Sequence, residues 1–188
     1  PPEEKRALDA LTPAQLNAVN YVVQEATRNS NEAQAGLQDR VEALGYTASE
    51  FRRCLRYIRD EAPLIIHFKP QKALEHFVKD THYRNQFETR TSGGSTDLNM
   101  RRKKENKLFN DAYADAEPFD RVKYGVMNLT LDPAGIGLAR CSYGSCYLQV
   151  QGRLRSSFSD GNSSASSSLS TCEQYSHVLQ KFTDKELK

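Results

Sequence analysis

The chain has 188 residues, of which 38% are hydrophobic and 27% charged, with a formal net charge of +2. That is enough apolar material for one ordinary domain with its own core, and it excludes a chain disordered by composition. The charge is too small to argue for nucleic-acid binding by bulk electrostatics, and no run approaches the roughly 18 apolar residues of a membrane-spanning helix.

The chain has no basic and apolar regions of a secretory signal at its start, and it opens Pro1-Pro2 without a methionine, from which it is expected to be a fragment of a longer protein. Thr12-Pro13 reads as an N-cap followed by proline at the first helical position. Leu16, Val19 and Val23 recur at helical spacing, which predicts a helix over 12–28. A second helix is expected from Asn31 to about Leu44, stopped by Gly45. Thr47-Ala-Ser-Glu50 has capping-box form, and Phe51, Leu55 and Ile58 supply the stripe of a third helix.

The pattern changes at Pro63. Leu64-Ile65-Ile66-His67-Phe68 predicts a short buried strand, and Pro70 opens a helix containing Ala73, Leu74, Phe77 and Val78. Thr89 to Asn99 is rich in Thr, Ser and Gly and predicts a loop. The basic run Arg101-Arg102-Lys103-Lys104 then leads into a short helix. Lys123–Leu131, Ser145–Val150 and Leu154–Phe158 read as strands of one sheet region, with Gln151-Gly152 as a hairpin turn between the last two. A final helix is expected over Glu173–Phe182.

These elements predict a soluble α+β chain, with N-terminal helices packed on a β-rich core. The expected organisation is a single domain over 1–188, with a helical subregion at 1–62 and the core at 63–188. The short connection at Ala62-Pro63 offers no flexible linker.

Of the four cysteines, Cys141, Cys146 and Cys172 stand with His177 at a spacing zinc can use. The alternation of Cys146, Leu148 and Val150 along a strand argues instead for a buried apolar cysteine, and no metal is expected.

Three clusters mix hydrogen-bonding groups with glycines at strand ends, where a rigid scaffold lets backbone approach a ligand. The first is His67 with Lys69. The second runs from Tyr83 to Gly94 and includes Glu88, Thr91 and Ser92. The third joins Tyr124 and Asn128, Tyr143-Gly144-Ser145, and Phe158 to Ser163 with Asp160 and Asn162. Each has a plainer reading. A histidine on an apolar strand is more often a satisfied structural residue. Glu88 beside Arg84 and Arg90 fits a surface ion pair. Asn128 can line a cleft or face water, and the tyrosines can stack on a ligand or pack.

The runs Leu-Thr-Pro-Ala-Gln at 11–15, Gln-Phe-Glu-Thr at 86–89, Lys-Tyr-Gly-Val-Met-Asn-Leu at 123–129, Tyr-Gly-Ser-Cys-Tyr-Leu at 143–148 and Phe-x-x-Gly-Asn-Ser at 158–163 carry a resemblance. Together they resemble a bacterial family of unknown function related to the ADP-ribosyltransferases. The chain is also similar to mono-ADP-ribosyltransferase-like type III effectors of plant-pathogenic bacteria, of the XopAI type. The resemblance implies a β-rich core around an NAD cleft, with NAD as substrate. It also implies secretion into a host cell, a virulence role and a host protein or peptide as target. It places His67 at the first-strand position that holds a ribose or phosphate, and Thr91-Ser92 at the motif that shapes the cleft. Tyr124 and Asn128 would then contact the cofactor. Asp160-Gly-Asn162 falls where a pair of acidic or amide residues would flank the ribose, and Asn162 stands where the family pattern has an acid. Glu88 or Asp160 would have to replace that charge, because positive charge develops on the ribose as nicotinamide leaves.

Two functions follow: a transferase with an altered active site and weak or no NAD-dependent activity, or a catalytically dead fold gripping a host protein or peptide in the former NAD cleft. A nucleic-acid binder using Arg101 to Lys107 ranks last, since the run lacks interleaved aromatics.

Overall fold

The computed structural model describes residues 10–80, 82–90, 97–150, 156–161, 163, 168–171 and 173–188. The chain is α+β, with long N-terminal helices and small antiparallel sheets. It divides into two compact units. The first comprises Pro1–Glu61, Lys104–Ala114 and Leu154–Lys188, and the second Ala62–Lys103 and Asp115–Arg153. The boundary at 61/62 coincides with the change of pattern at Pro63, and the C-terminal residues join the unit of the long helices.

In the first unit, helix α1 spans Pro13–Ala43 without interruption. Thr12 caps it reciprocally with Gln15, as the Thr-Pro signal predicts. The expected break between 28 and 31 does not occur. Ser30, a residue that favours caps and turns, is buried and bonded to His177, so a tertiary partner replaces the local competition. The buried stripe is Ala18, Val22, Ala26, Ser30, Ala33, Leu37 and Val41, at three- and four-residue spacing along the whole helix. Leu16 and Val23 of the expected stripe are exposed instead. The face built on alanine permits close approach of α7 (Ser176–Leu179) and strand β5 (Ser170–Thr171). Helix α2 (Ala48–Asp60) begins with the expected capping box of Thr47 and Glu50. Strand β4 (Ser157–Phe158) pairs antiparallel with β5. The chain ends in α8 (Asp184–Leu187), held by Arg40, which bonds Asp184 and the carbonyls of Gln180 and Phe182.

The second unit is built on β1 (Leu64–Phe68), the centre of a three-stranded antiparallel sheet in the order β2-β1-β3. Strand β2 is Val126–Met127 and β3 is Cys146–Gln149. Between β1 and β2 lie α3 (Pro70–Lys79), α4 (Gln86–Thr89) and a 3-10 turn at Pro118–Asp120, and between β2 and β3 lies α6 (Gly137–Tyr143). Helix α5 (Leu98–Leu108) begins in this unit and ends in the first.

Two strand expectations are corrected. The stretch Lys123–Leu131 yields only two strand residues, because the Asn128 side chain closes a turn onto Asp132 and Leu131 takes a left-handed φ of 54°. The strands at 146–149 and 157–158 do not form a hairpin: β3 pairs with β1, and β4 with β5. The expected turn residues Gln151-Gly152 lie outside the described residues. The final helix is also shorter than predicted, at Ser176–Leu179. No helix among the described residues is long and apolar enough to cross a membrane.

Candidate functional site

The apolar run of β1 places Ile65 and His67 on one face of the strand and Ile66 and Phe68 on the other. His67 is buried. Its Nδ1 donates to the Gly144 carbonyl at 2.8 Å, and its Nε2 accepts the Ile136 N–H at 3.1 Å. Tyr147 lies opposite on β3, with ring centroids 5.6 Å apart. Both ring nitrogens are therefore engaged by backbone. The glycines of this region follow from the same packing. A Cβ on Gly144, whose φ is +134°, would run into the Phe68 carbonyl, and one on Gly135 would run into the His67 ring.

A second network surrounds Asn85, which is 2% exposed. Its Oδ1 accepts the N–H groups of Phe87 and Glu88 at 2.9 and 3.2 Å, capping α4. Its Nδ2 donates to the carbonyls of Pro118 and Arg121 at 2.5 and 3.3 Å, tying α4 to the 3-10 turn. Glu88 completes the capping box: Oε2 accepts the Asn85 N–H at 2.8 Å. Its other oxygen, Oε1, lies 3.2 Å from Nε2 of His82. Glu88 is thus paired with a histidine and its own helix cap, and Arg84 pairs instead with Asp80 at 2.6 Å. Hydrogen bonding from that guanidinium holds the Asp80 carboxyl below its ordinary range. Burial pushes the Tyr83 hydroxyl up. Arg121 covers the Phe87 ring at 4.7 Å from its centroid.

Asn128 is 3% exposed, with both ends of its amide bonded to the Asp132 backbone at 2.9 and 3.0 Å. Tyr124 is half-buried just before β2. Asp160 belongs to the first unit, where it lies 3.7 Å from the Lys181 ammonium. Thr91, Ser92 and Asn162 lie outside the described residues, as does Cys172. His67, Glu88, Tyr124 and Asn128 share the second unit, but the hydrogen bonds of His67, Glu88 and Asn128 go to three different local networks. Among the described residues no group of three or more histidines, cysteines or carboxylates could hold a metal.

Sequence reasoning included Asn85 in the Tyr83–Gly94 cluster and Lys123 in the run at 123–129 but gave neither a role, and it did not select His82 or Phe119. The signal for Asn85 was present: Asn85-Gln-Phe-Glu88 has the same spacing as the capping box recognised at Thr47, with asparagine in the capping place.

The family model described as "Protein of unknown function (DUF3626)" matches residues 64–186, more than half of the chain, so the chain belongs to that family. The match spans every candidate site residue. No curated protein and no solved structure matches the chain.

Proposed function

We propose that this DUF3626 member is a mono-ADP-ribosyltransferase-like domain of a secreted bacterial effector, with an altered active site and weak or no NAD-dependent transferase activity. The ADP-ribosyltransferase-like core, the NAD substrate, the host target and the secretion all rest on the resemblance of the sequence runs. The observation that carries the altered-site reading is the engagement of Glu88. Transfer needs a negative charge facing the ribose in a preorganised site. Glu88 instead caps α4 and meets His82. Asp160 is offset by Lys181, and position 162 is an amide.

The second reading is a catalytically dead fold that binds a host protein or peptide in the former NAD cleft. It is favoured by the way backbone engages the His67 and Asn128 side chains, which the resemblance assigns to cofactor contact.

Calorimetric titration with NAD, followed by assays of hydrolysis and self-modification, tests the choice. The expected result is NAD binding with little turnover, raised by Asn162→Glu. Robust transfer by the native chain, abolished by Glu88→Ala or Asp160→Ala, would overturn the altered-site reading. Absence of NAD binding at millimolar concentration in both the native chain and Asn162→Glu would favour the peptide-binding fold.

A further inference from the structure

The 3-10 turn at Pro118–Asp120 presents Phe119 with 55% of its surface exposed. The turn is anchored from beneath by Asn85, through the Pro118 and Arg121 carbonyls. Two polar groups flank the ring. The Lys123 ammonium lies 5.5 Å from its centroid, and the His82 ring meets it edge-on at 4.9 Å with an interplanar angle of 82°. Lys123 is exposed and forms no ion pair among the described residues. His82 directs Nε2 at the Glu88 carboxylate, so Nε2–H donates there and Nδ1 is the remaining ring nitrogen. Among the described residues nothing bonds to Nδ1. Glu88 is itself fixed by its helix cap, so the imidazole orientation is set before any ligand arrives.

We propose that His82, Phe119 and Lys123 form a binding site for a nucleoside phosphate. The ring offers a stacking surface for a base, Nδ1 hydrogen-bonds a sugar hydroxyl, and the ammonium pairs with the phosphate. A flat face, a hydrogen-bonding ring nitrogen and a cation within one small patch match the three parts of a nucleotide. A phosphotyrosine side chain supplies the ring and the phosphate but no sugar hydroxyl. The assignment goes beyond the transferase reading and rests on it only in using NAD as one of the probes.

Calorimetric titration of the full chain with AMP, NAD, adenosine, inorganic phosphate and phosphotyrosine tests it. AMP is expected to bind more tightly than adenosine, phosphate or phosphotyrosine. Phe119→Ala and Lys123→Ala should each weaken AMP about tenfold, and Phe119→Tyr should retain binding. Added salt should weaken AMP binding to the native chain more than to Lys123→Ala. Both side chains are exposed, so the variants should keep the native circular dichroism spectrum; Lys123→Gln is the substitute if Lys123→Ala does not. The proposal is overturned if AMP does not bind, if phosphate or phosphotyrosine binds as well as AMP, or if Phe119→Ala leaves AMP affinity unchanged. NAD bound equally by the native chain and Phe119→Ala would also overturn the site, while leaving the transferase reading in place. AMP binding that depends on Phe119, with no NAD turnover even in Asn162→Glu, would uphold the site and remove the transferase reading.

Discussion

Glu88 and His82 are joined carboxylate to imidazole at 3.2 Å, and the same carboxylate closes the capping box of α4 through the Asn85 N–H. One acid therefore stabilises a four-residue helix and orients an exposed histidine. A helix this short does not persist on its own, so its caps and its ties to the 3-10 turn hold it in place.

That arrangement predicts an order of effects. Asn85→Ala removes every side-chain bond of a residue that is 2% exposed and leaves buried donors and acceptors unpaired. It should cost about 2–4 kcal/mol by urea unfolding, since each orphaned buried group costs on the order of 1–3 kcal/mol. Glu88→Ala loses one cap and one partly exposed pair, and should cost about 1 kcal/mol. Equal effects, or a larger loss for Glu88→Ala, would show that the hub lies elsewhere.

Gly144 makes a sharper case. Its φ of +134° and ψ of 163° lie in a region reached essentially by glycine alone, and a Cβ there would meet the Phe68 carbonyl. Gly144→Ala should cost at least about 1–3 kcal/mol from the backbone term, with the steric clash added. It should also displace the carbonyl that accepts from His67. Gly137→Ala, with nothing within 4 Å of the new methyl, is the matched control and should change stability by less than about 1 kcal/mol. Similar melting temperatures for the two variants would contradict the packing described around β1.

His177 predicts a pH dependence in the first unit. Burial pushes its imidazole below the ordinary value of about 6.5, outweighing the bond from Nε2–H to the Leu169 carbonyl. Nδ1 then accepts from the Ser30 hydroxyl at 2.8 Å. The unfolded chain takes up the proton at higher pH than the folded one. The contribution is therefore complete above about pH 6.5 and is lost as pH falls from there toward the folded value. Denaturant midpoints should begin to drop as pH falls below about 6.5, before the carboxylates held low by their partners, such as Asp80 and Glu186, begin to protonate. His177→Gln should be less stable at pH 8 and should show a flatter profile across that window. An unchanged slope would assign the acid sensitivity to other groups.

Much of the local architecture was legible in the residues alone. The caps at Thr12 and Thr47 and the helix opened by Pro70 rest on interactions within about four residues, and the strand at Leu64–Phe68 is marked by its apolar, β-branched composition, so composition and spacing carry the information. Chain order does not encode partners brought together by packing. His67 is bonded to groups 69 and 77 residues away, and Ser30 to one 147 residues away. The apolar alternation of Cys146–Gln149 marked a strand but was silent on its neighbour. Burial against β1, not the nearby turn signal, decided that pairing. Likewise the Asn-Ser-Asn run at 29–31 reads as a break by local propensity, yet α1 runs through it with Ser30 buried in the helix's apolar stripe and bonded to His177. The sequence by itself determined where short-range hydrogen bonds can form. The tertiary structure decided which polar side chains are engaged in the scaffold, because a buried donor or acceptor must find a partner wherever the folded chain supplies one.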